Sequence, residues 1–576
     1  MSYEVKHMWN QKKIAALTGA ICLSLSASVF AAQAPTGLQS PTLSTDQDST
    51  WLCWDRPAKG DDAVYYNIYQ NGTKIGTTQT PAQTVGTKAM QEFQQKNPEL
   101  CGDLLIYHSY EASGLAPSTD YTFTVRAVGK DGKESADSKP VKVRTTAVPK
   151  TVRLTDFGAV GDGKTMNTAA LQKAIDATPK GGVLEVPAGT FVSGAVQLKS
   201  DMTLQLDEGA TLLGTEEVGG YEMQPNGRYN GLLNGSNLRN LRIVGQGTID
   251  GNGWQKDAKG YYRKAANLKR EDGKKSREPD VRNYGILAKN QTVWLMDNED
   301  RNFKEGYNGR GSTVMLSHID NLYIEGVRMQ NPSMHMVVIN FGNDVTVNNV
   351  AFHTYDANNG DVIDYTGSKY KVMNCYMDSG DDAVNFNAGM GADAAGRPPV
   401  GNAWIFNNYV RHAHGGITLG SHTASWIEKV LGEDNVFELT EVGFRCKTSD
   451  NMGGGGRDSV FRHNVLKDIK NNAFLFTTNY KDENAVGKYA GTNAGVFKDM
   501  LIEDCNVLNT KKAAFEIEGM PGGEHHDITL RNVRIINGGA QKLQHAQNIR
   551  QENVVYEQDE SKAAKAKSSG KKAVKK

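Results

Sequence analysis

The chain has 576 residues, with 65 basic and 65 acidic side chains and a formal net charge of zero. That balance excludes a polybasic nucleic-acid or membrane-surface binder as the overall design, so any attraction for a charged substrate must be local. The length exceeds one ordinary domain unless the chain repeats.

The N-terminus reads as a targeting segment. Lys12 and Lys13 precede an apolar, small-residue run from Ile14 to Ala31, and Val29-Phe30-Ala31 fits a small-residue cleavage site. Residues 1–31 are therefore expected to be a signal peptide, with Ala32 the mature start and a periplasmic or secreted product. The alternative is a membrane anchor. Against it, Thr18, Ser24, Ser26 and Ser28 interrupt the run, and no later stretch reaches about 20 apolar residues. Cys22 leaves with the signal, and Cys53, Cys101, Cys375, Cys446 and Cys505 match no zinc spacing. Cys53 and Cys101 are candidates to pair within the first domain. The other three sit in apolar strand patterns and are expected to be buried thiols.

Residues 35–147 read as a small all-β unit. Trp51-Leu52-Cys53-Trp54 and Tyr65 to Tyr69 are strand-like, Asn71-Gly72 is a hairpin signal, and Tyr121 to Val128 alternates before the Asp131-Gly132 turn. Leu115-Ala116-Pro117-Ser118-Thr119-Asp120-Tyr121 resembles the tyrosine corner of fibronectin type III domains. Such domains serve as spacers or binding modules, and no catalytic cluster is evident in this one.

After a linker from Thr145 to Lys150 the pattern changes. A helical stretch from Asn167 to Ala177 leads into short alternating strands beginning at Gly181-Gly182-Val183-Leu184. One unit then recurs: Asn321 to Met329, Asp344 to Val350, Tyr370 to Cys375, Ala403 to Asn408, Met500 to Leu508 and Asp527 to Val533. Asn349 and Asn374 are 25 residues apart, a plausible length for one coil. Asparagine suits the tight bend because it tolerates left-handed geometry. No unit could bury its apolar face alone, but stacked neighbours would. Residues 152–540 are thus expected to form a parallel β-helix, capped at its start by the helix. Two stretches break the repeat: residues 255–312, charged and aromatic, and residues 388–401, rich in Gly, Ala and Pro. Long insertions of this kind are often functional loops; disorder is the alternative for the first. Residues 561–576 carry seven lysines and no acid and are expected to be a disordered tail.

The chemistry-bearing residues lie within the repeat. Gly380-Asp381-Asp382 taken alone is also a common surface turn. Asn359-Gly360-Asp361 precedes it, and His414-Gly415-Gly416 and Arg445-Cys446-Lys447 follow. Asp361 and Asp381 are 20 residues apart, about one coil, and Asp382 to His414 is 32, one coil holding the 388–401 insertion. Successive coils stack at about 4.8 Å, so the series can align on one face with carboxylates roughly 5–10 Å apart. Arg445 and Lys447 point the same way and Cys446 points inward. A glycosidic bond needs one protonated and one ionised carboxyl, and crowding three carboxylates raises the pKa of one of them. The basic pair would bind an anionic group, so the face reads as a hydrolytic site for an acidic sugar polymer.

These four motifs, in order, resemble those of the polygalacturonases, glycoside hydrolase family 28, over most of the chain from Val152 to Asn537. The resemblance implies a right-handed parallel β-helix that hydrolyses α-1,4-galacturonosidic bonds of polygalacturonate with inversion and without a cofactor or metal. It implies Asp381 as general acid, Asp361 and Asp382 as the pair that holds and deprotonates water, and His414 as support for acid and substrate. Asn359, Arg445 and Lys447 would bind substrate. The family's Gly-His-Gly is here Ala413-His414-Gly415-Gly416, which leaves His412 as a second candidate, and its central isoleucine is Cys446. The N-terminal sandwich and long insertions resemble the bacterial exo-acting branch, which cuts from the non-reducing end and in some members releases digalacturonate. Arg263, Lys264, Arg270 and Arg310 are candidates to hold the terminal carboxylate. A monomer with no nucleic-acid or membrane partner is expected. Two other readings stay open: a calcium-dependent pectate lyase, for which the three aspartates would be ligands, and a non-catalytic polysaccharide-binding solenoid.

Overall fold

The computed structural model describes residues 32–57, 61–256, 277–355, 357–480 and 493–558. The expected signal peptide and the Lys-rich tail lie outside the described residues, as do Arg263, Lys264 and Arg270. Two compact units form. One takes the described residues up to Ala82 together with Ile106–Val148, and the other takes Gln83–Leu105 with the described residues from Pro149 onward.

In the first unit, Ala63–Gln70, Thr73–Thr77, Asp120–Gly129 and Val141–Arg144 make a four-stranded antiparallel sheet, and Ser49–Cys53 pairs with Ser109–Ser113. Alternation along Phe123, Val125 and Ala127 buries one face with Trp54 and Ile68. The Tyr121 hydroxyl accepts a 2.8 Å bond from the Ala116 backbone N–H, which closes the tyrosine corner.

The expectation of an all-β segment throughout residues 35–147 fails at Gln83–Leu105. Val85–Lys96 and Pro98–Cys101 are helices. Thr84 caps the first, its hydroxyl accepting from the Thr87 N–H at 3.2 Å. Met90 and Phe93 form its buried face. The segment packs on the coils of the second unit. The Val85 N–H donates to Asn349 Oδ1 at 2.9 Å, the Gly86 N–H to the Asn374 carbonyl at 3.0 Å, and Phe93 meets Tyr409 edge-on. Cys53 and Cys101, the candidates to pair within the first domain, do not do so. Neither forms a disulfide, both are buried, and they belong to different units.

The second unit is a parallel β-helix whose strands run from Thr151–Arg153 to Val555–Glu557 in one continuous parallel pairing scheme. The recurring sequence units fall into register: Leu322 pairs with Val345, Val345 with Tyr370, and Tyr370 with Ala403. Their apolar residues form one continuous core. Asn321, Asn349, Asn374 and Asn407 turn the corners at φ of 63, 54, 60 and 53°. Buried asparagines also bond between coils, Asn408 to Asn435 at 3.0 Å and Asn435 to Asn464 at 3.1 Å, so each corner satisfies its amide on the next. The helix Thr168–Ala177 lays Leu171, Ala174 and Ile175 into the start of the core. Cys375, Cys446 and Cys505 are buried in that core.

The described part of the 255–312 insertion is three short helices, Glu278–Tyr284, Leu287–Asn298 and Phe303–Asn308. They have small cores of their own, one around Trp254, Val281, Ala288, Tyr307 and Ala357, the other around Tyr221, Tyr229, Leu287 and Leu295.

Candidate active site

One sheet of the β-helix carries the candidate residues. Asp364, Asn385, Thr418 and Arg445 stand side by side on four successive strands. The turns that enter these strands are themselves laddered. The Met336 N–H donates to the Asp361 carbonyl at 2.8 Å, Val362 to Asp382 at 3.0 Å, Ala383 to Gly415 at 2.9 Å and Val442 to His414 at 3.0 Å. Asp361, Asp381 and Asp382, and His414 therefore sit on consecutive rungs.

Two glycines make the convergence possible. A Cβ on Gly380 would lie 2.2 Å from the Ala357 carbonyl oxygen, so only glycine lets that turn pack down and lift Asp381 and Asp382. A Cβ on Gly415 would lie 2.0 Å from Thr418 Oγ1 and 2.8 Å from Asp382 Oδ1.

One oxygen from each of Asp361, Asp381 and Asp382 lies within 4.8 Å of the others. This is closer than rung spacing alone gives, because the side chains converge from turns instead of standing upright on strands. Asp382 is bound by both cations, Arg445 Nη1 at 3.0 Å and Lys447 Nζ at 2.8 Å. His414 Nδ1 is 2.8 Å from Asp381 Oδ1, and its Nε2 faces Glu441 at 3.7 Å. His412 is placed elsewhere, with Nδ1 2.7 Å from Asp378 and its ring stacked on Tyr355. Asn359 holds its corner at φ 56° and accepts from Arg310 Nη2 at 3.1 Å.

The charges sort themselves by environment. Burial pushes the Asp361 carboxyl up to about 7, helped by the Asp381 charge and opposed by His335. Burial acts on Asp381 in the same sense, but His414, Lys447 and Arg445 outweigh it and hold this carboxyl well below the usual range. Asp382 is likewise lowered against burial by Lys447 and Arg445. Burial disfavours the His414 cation, and Asp381 reverses that and raises it. So within the crowded triad a proton is favoured on Asp361 over Asp381 and Asp382, and Asp381 favours the protonated form of His414.

The glycosyl hydrolases family 28 model matches residues 178–555, and the fibronectin type III domain model matches residues 33–144. An exo-poly-α-D-galacturonosidase of Dickeya chrysanthemi is 37% identical over 546 residues, 91% of this chain and 90% of the relative. The solved family 28 exopolygalacturonase of Yersinia enterocolitica superposes with a TM-score of 0.81 at 33% identity, covering 91% of this chain and 99% of that one. A hyperthermoactive exopolygalacturonase from Thermotoga maritima gives a TM-score of 0.57 at 25% identity over 71% of this chain and 92% of its own.

The chain is a family 28 glycosyl hydrolase.

Two groups of the hydrolase's site escaped the sequence reading. His335 Nδ1 lies 2.8 Å from Asp361 Oδ1 and 3.4 Å from Asp364 Oδ2. Burial lowers its affinity for a proton, but Asp361 and Asp364 more than compensate and raise it to about 9. It is a lone histidine between two methionines, and its only signal is that it lies 26 residues before Asp361, about one coil. Tyr480 is the other; its ring lies 4.8 Å from Lys447 Nζ and 5.7 Å from the Arg445 guanidinium.

Arg310 is not a substrate ligand. It is fully buried, and it donates to the Tyr307, Ser333 and Asn358 carbonyls and to Asn359 Oδ1. The charge that made it a candidate in the insertion instead anchors the insertion to the Asn359 corner. Among the described residues no helix is long and apolar enough to cross a membrane.

Proposed function

We propose that the enzyme hydrolyses α-1,4-galacturonosidic bonds of polygalacturonate with inversion, from the non-reducing end, releasing short products such as digalacturonate. The observation that carries this is the convergence of Asp361, Asp381 and Asp382 within 4.8 Å beside a basic pair. The names of the Dickeya and Yersinia relatives, both exo-acting on galacturonide polymers, support the substrate and the mode.

A water held between Asp361 and Asp382 attacks the anomeric carbon while Asp381 protonates the leaving oxygen. The attacking and protonating groups then lie on opposite sides of the bond, which inverts the centre. The oxygens are closer than the roughly 6.5–9.5 Å usual for inverting glycosidases, so inversion rests on the water site, not on spacing. The proton for the leaving group is stored in the His414–Asp381 bond. Arg445 and Lys447 keep unused donors while bound to Asp382, including a buried Arg445 Nε without a hydrogen bond. A galacturonate carboxylate arriving there shares their charge, which relaxes their hold on Asp381 and moves the stored proton toward it.

No cofactor or metal takes part in this scheme. Asp382 already has two cations as partners, which disfavours a lyase-type calcium site among the three aspartates. The enzyme works as an exported monomer on pectic oligosaccharides and polymer, with residues 1–31 as its signal peptide. Incubation with polygalacturonate and separation of the products by size tests the reading. A single short saturated product supports it, a ladder means internal cleavage, and unsaturated products mean a lyase.

A further inference from the structure

Arg228 is a cation in search of an anion. It lies in the loop Tyr221–Gly231, which enters the strand Leu233–Gly245 on the same edge of the ladder as His335, Asp361 and Asp381. Among the described residues its guanidinium makes no hydrogen bond or ion pair. It is nevertheless partly buried, and burial lowers its proton affinity while Asp364 opposes the effect. Its charge also reaches His335 and the buried Arg310, both cationic. A partly desolvated guanidinium with two cations in range and only the longer-range charge of Asp364 to offset them is costly unless an anion completes it.

The loop is held in place by the insertion. The Tyr229 N–H donates to the Gly309 carbonyl at 2.9 Å, and Arg301 Nη1 donates to the Gly227 carbonyl at 2.7 Å. Tyr229 packs in the cluster with Leu287 and Leu295, and its ring meets Trp294 edge-on. The insertion thus fixes a flanking loop whose guanidinium has no hydrogen-bond or ion-pair partner among the described residues. Along the axis of the β-helix, this loop and Arg445–Lys447 lie on opposite sides of the aspartates. Asn234, Met315, Val338 and Asp364 are on successive strands before the site, and Arg445 is on the strand after Thr418.

We propose that Arg228 receives the carboxylate of the non-reducing terminal galacturonate and so selects chain ends that carry an acidic sugar. This rests on the exo reading above. The fork geometry of arginine suits a carboxylate, and a charge-assisted bond of this kind adds ground-state and transition-state binding alike. Its loss should appear in KM more than in kcat.

The test compares two trimers: trigalacturonate, and the same trimer with its non-reducing terminal carboxyl reduced to the alcohol. The wild-type enzyme should prefer the acidic trimer by about tenfold to a hundredfold in kcat/KM. Arg228→Gln should lose that factor on the acidic trimer, mostly in KM, and change little on the neutral-ended one. Arg228→Lys, which keeps the charge without the fork, should fall between. Equal losses on both trimers would overturn the proposal and leave the exo reading standing. If Arg228→Gln does not fold, equal wild-type rates on the two trimers would overturn it by themselves. A wild-type enzyme that cuts polymer internally would remove the exo reading, and the two trimers would still decide whether Arg228 binds a glycone carboxylate.

Discussion

Replacing His335 by glutamine should move the acid limb of the pH profile upward. Asp361 must be ionised to take a proton from water, and His335 Nδ1 stabilises that ionised form from 2.8 Å. Coulomb's law at that distance with an effective dielectric near 20 gives a ceiling of about 6 kcal/mol. The net value of a hydrogen bond to a charged group is lower, about 1.5–3 kcal/mol. At roughly 1.4 kcal/mol per pH unit, this corresponds to about 1–2 units. The sign follows from charge: removing a cation makes the Asp361 anion harder to form, so its pKa rises from about 7. The assay is kcat/KM against pH on polygalacturonate by reducing-end release, which reports groups of the free enzyme. Glutamine keeps a neutral donor, so activity should recover at alkaline pH where the wild type has begun to fall. A uniform loss at every pH, with the acid limb unmoved, would refute the assignment of His335 to Asp361.

Asp381→Asn should cost about 10²–10⁴-fold in turnover on polygalacturonate but far less on an aryl galacturonide whose leaving group needs no proton. A matching loss on both would remove Asp381 from the acid role and point to Asp361, which holds its proton more firmly in the free site. Gly415→Ala places a methyl 2.0 Å from the buried Thr418 Oγ1 and 2.8 Å from Asp382 Oδ1; turnover should fall at least about tenfold and the thermal unfolding midpoint should drop with it, as checked by steady-state kinetics and calorimetry. Exhaustive treatment with a chelator should leave the rate unchanged, and a loss restored by calcium would revive the lyase reading.

Much of the architecture was legible because a β-helix writes its period into the chain. Asn349 and Asn374 mark corners, and the apolar residues between such corners fall into register without any help from the loops. The four motifs were legible for the same reason, since coil-length spacing stacks Asp361, Asp381–Asp382 and His414. What the sequence hid was burial and direction. Arg310 and Arg228 are both arginines near insertion residues, yet one is saturated by four oxygens and the other has no hydrogen-bond partner for its guanidinium among the described residues; composition treats them alike. Gln83–Leu105 is flanked by strands and so reads as part of a β-sandwich, although Thr84 is a sound helix cap and Met90 and Phe93 lie three residues apart on one face. The partition of protons between Asp361 and Asp381 was also out of reach. Both are aspartates in one crowded cluster, and only the placement of His414, Lys447 and Arg445 decides which of them is held ionised.

The central claim, cleavage of polygalacturonate from its ends at the aspartate cluster, is tested most directly by viscosity loss per reducing end formed. Removing units from a terminus shortens each polymer slowly, whereas one internal cut halves it. The solution should stay viscous while many reducing ends accumulate, and Asp381→Asn should abolish both signals together. Rapid thinning at few bonds broken would contradict it.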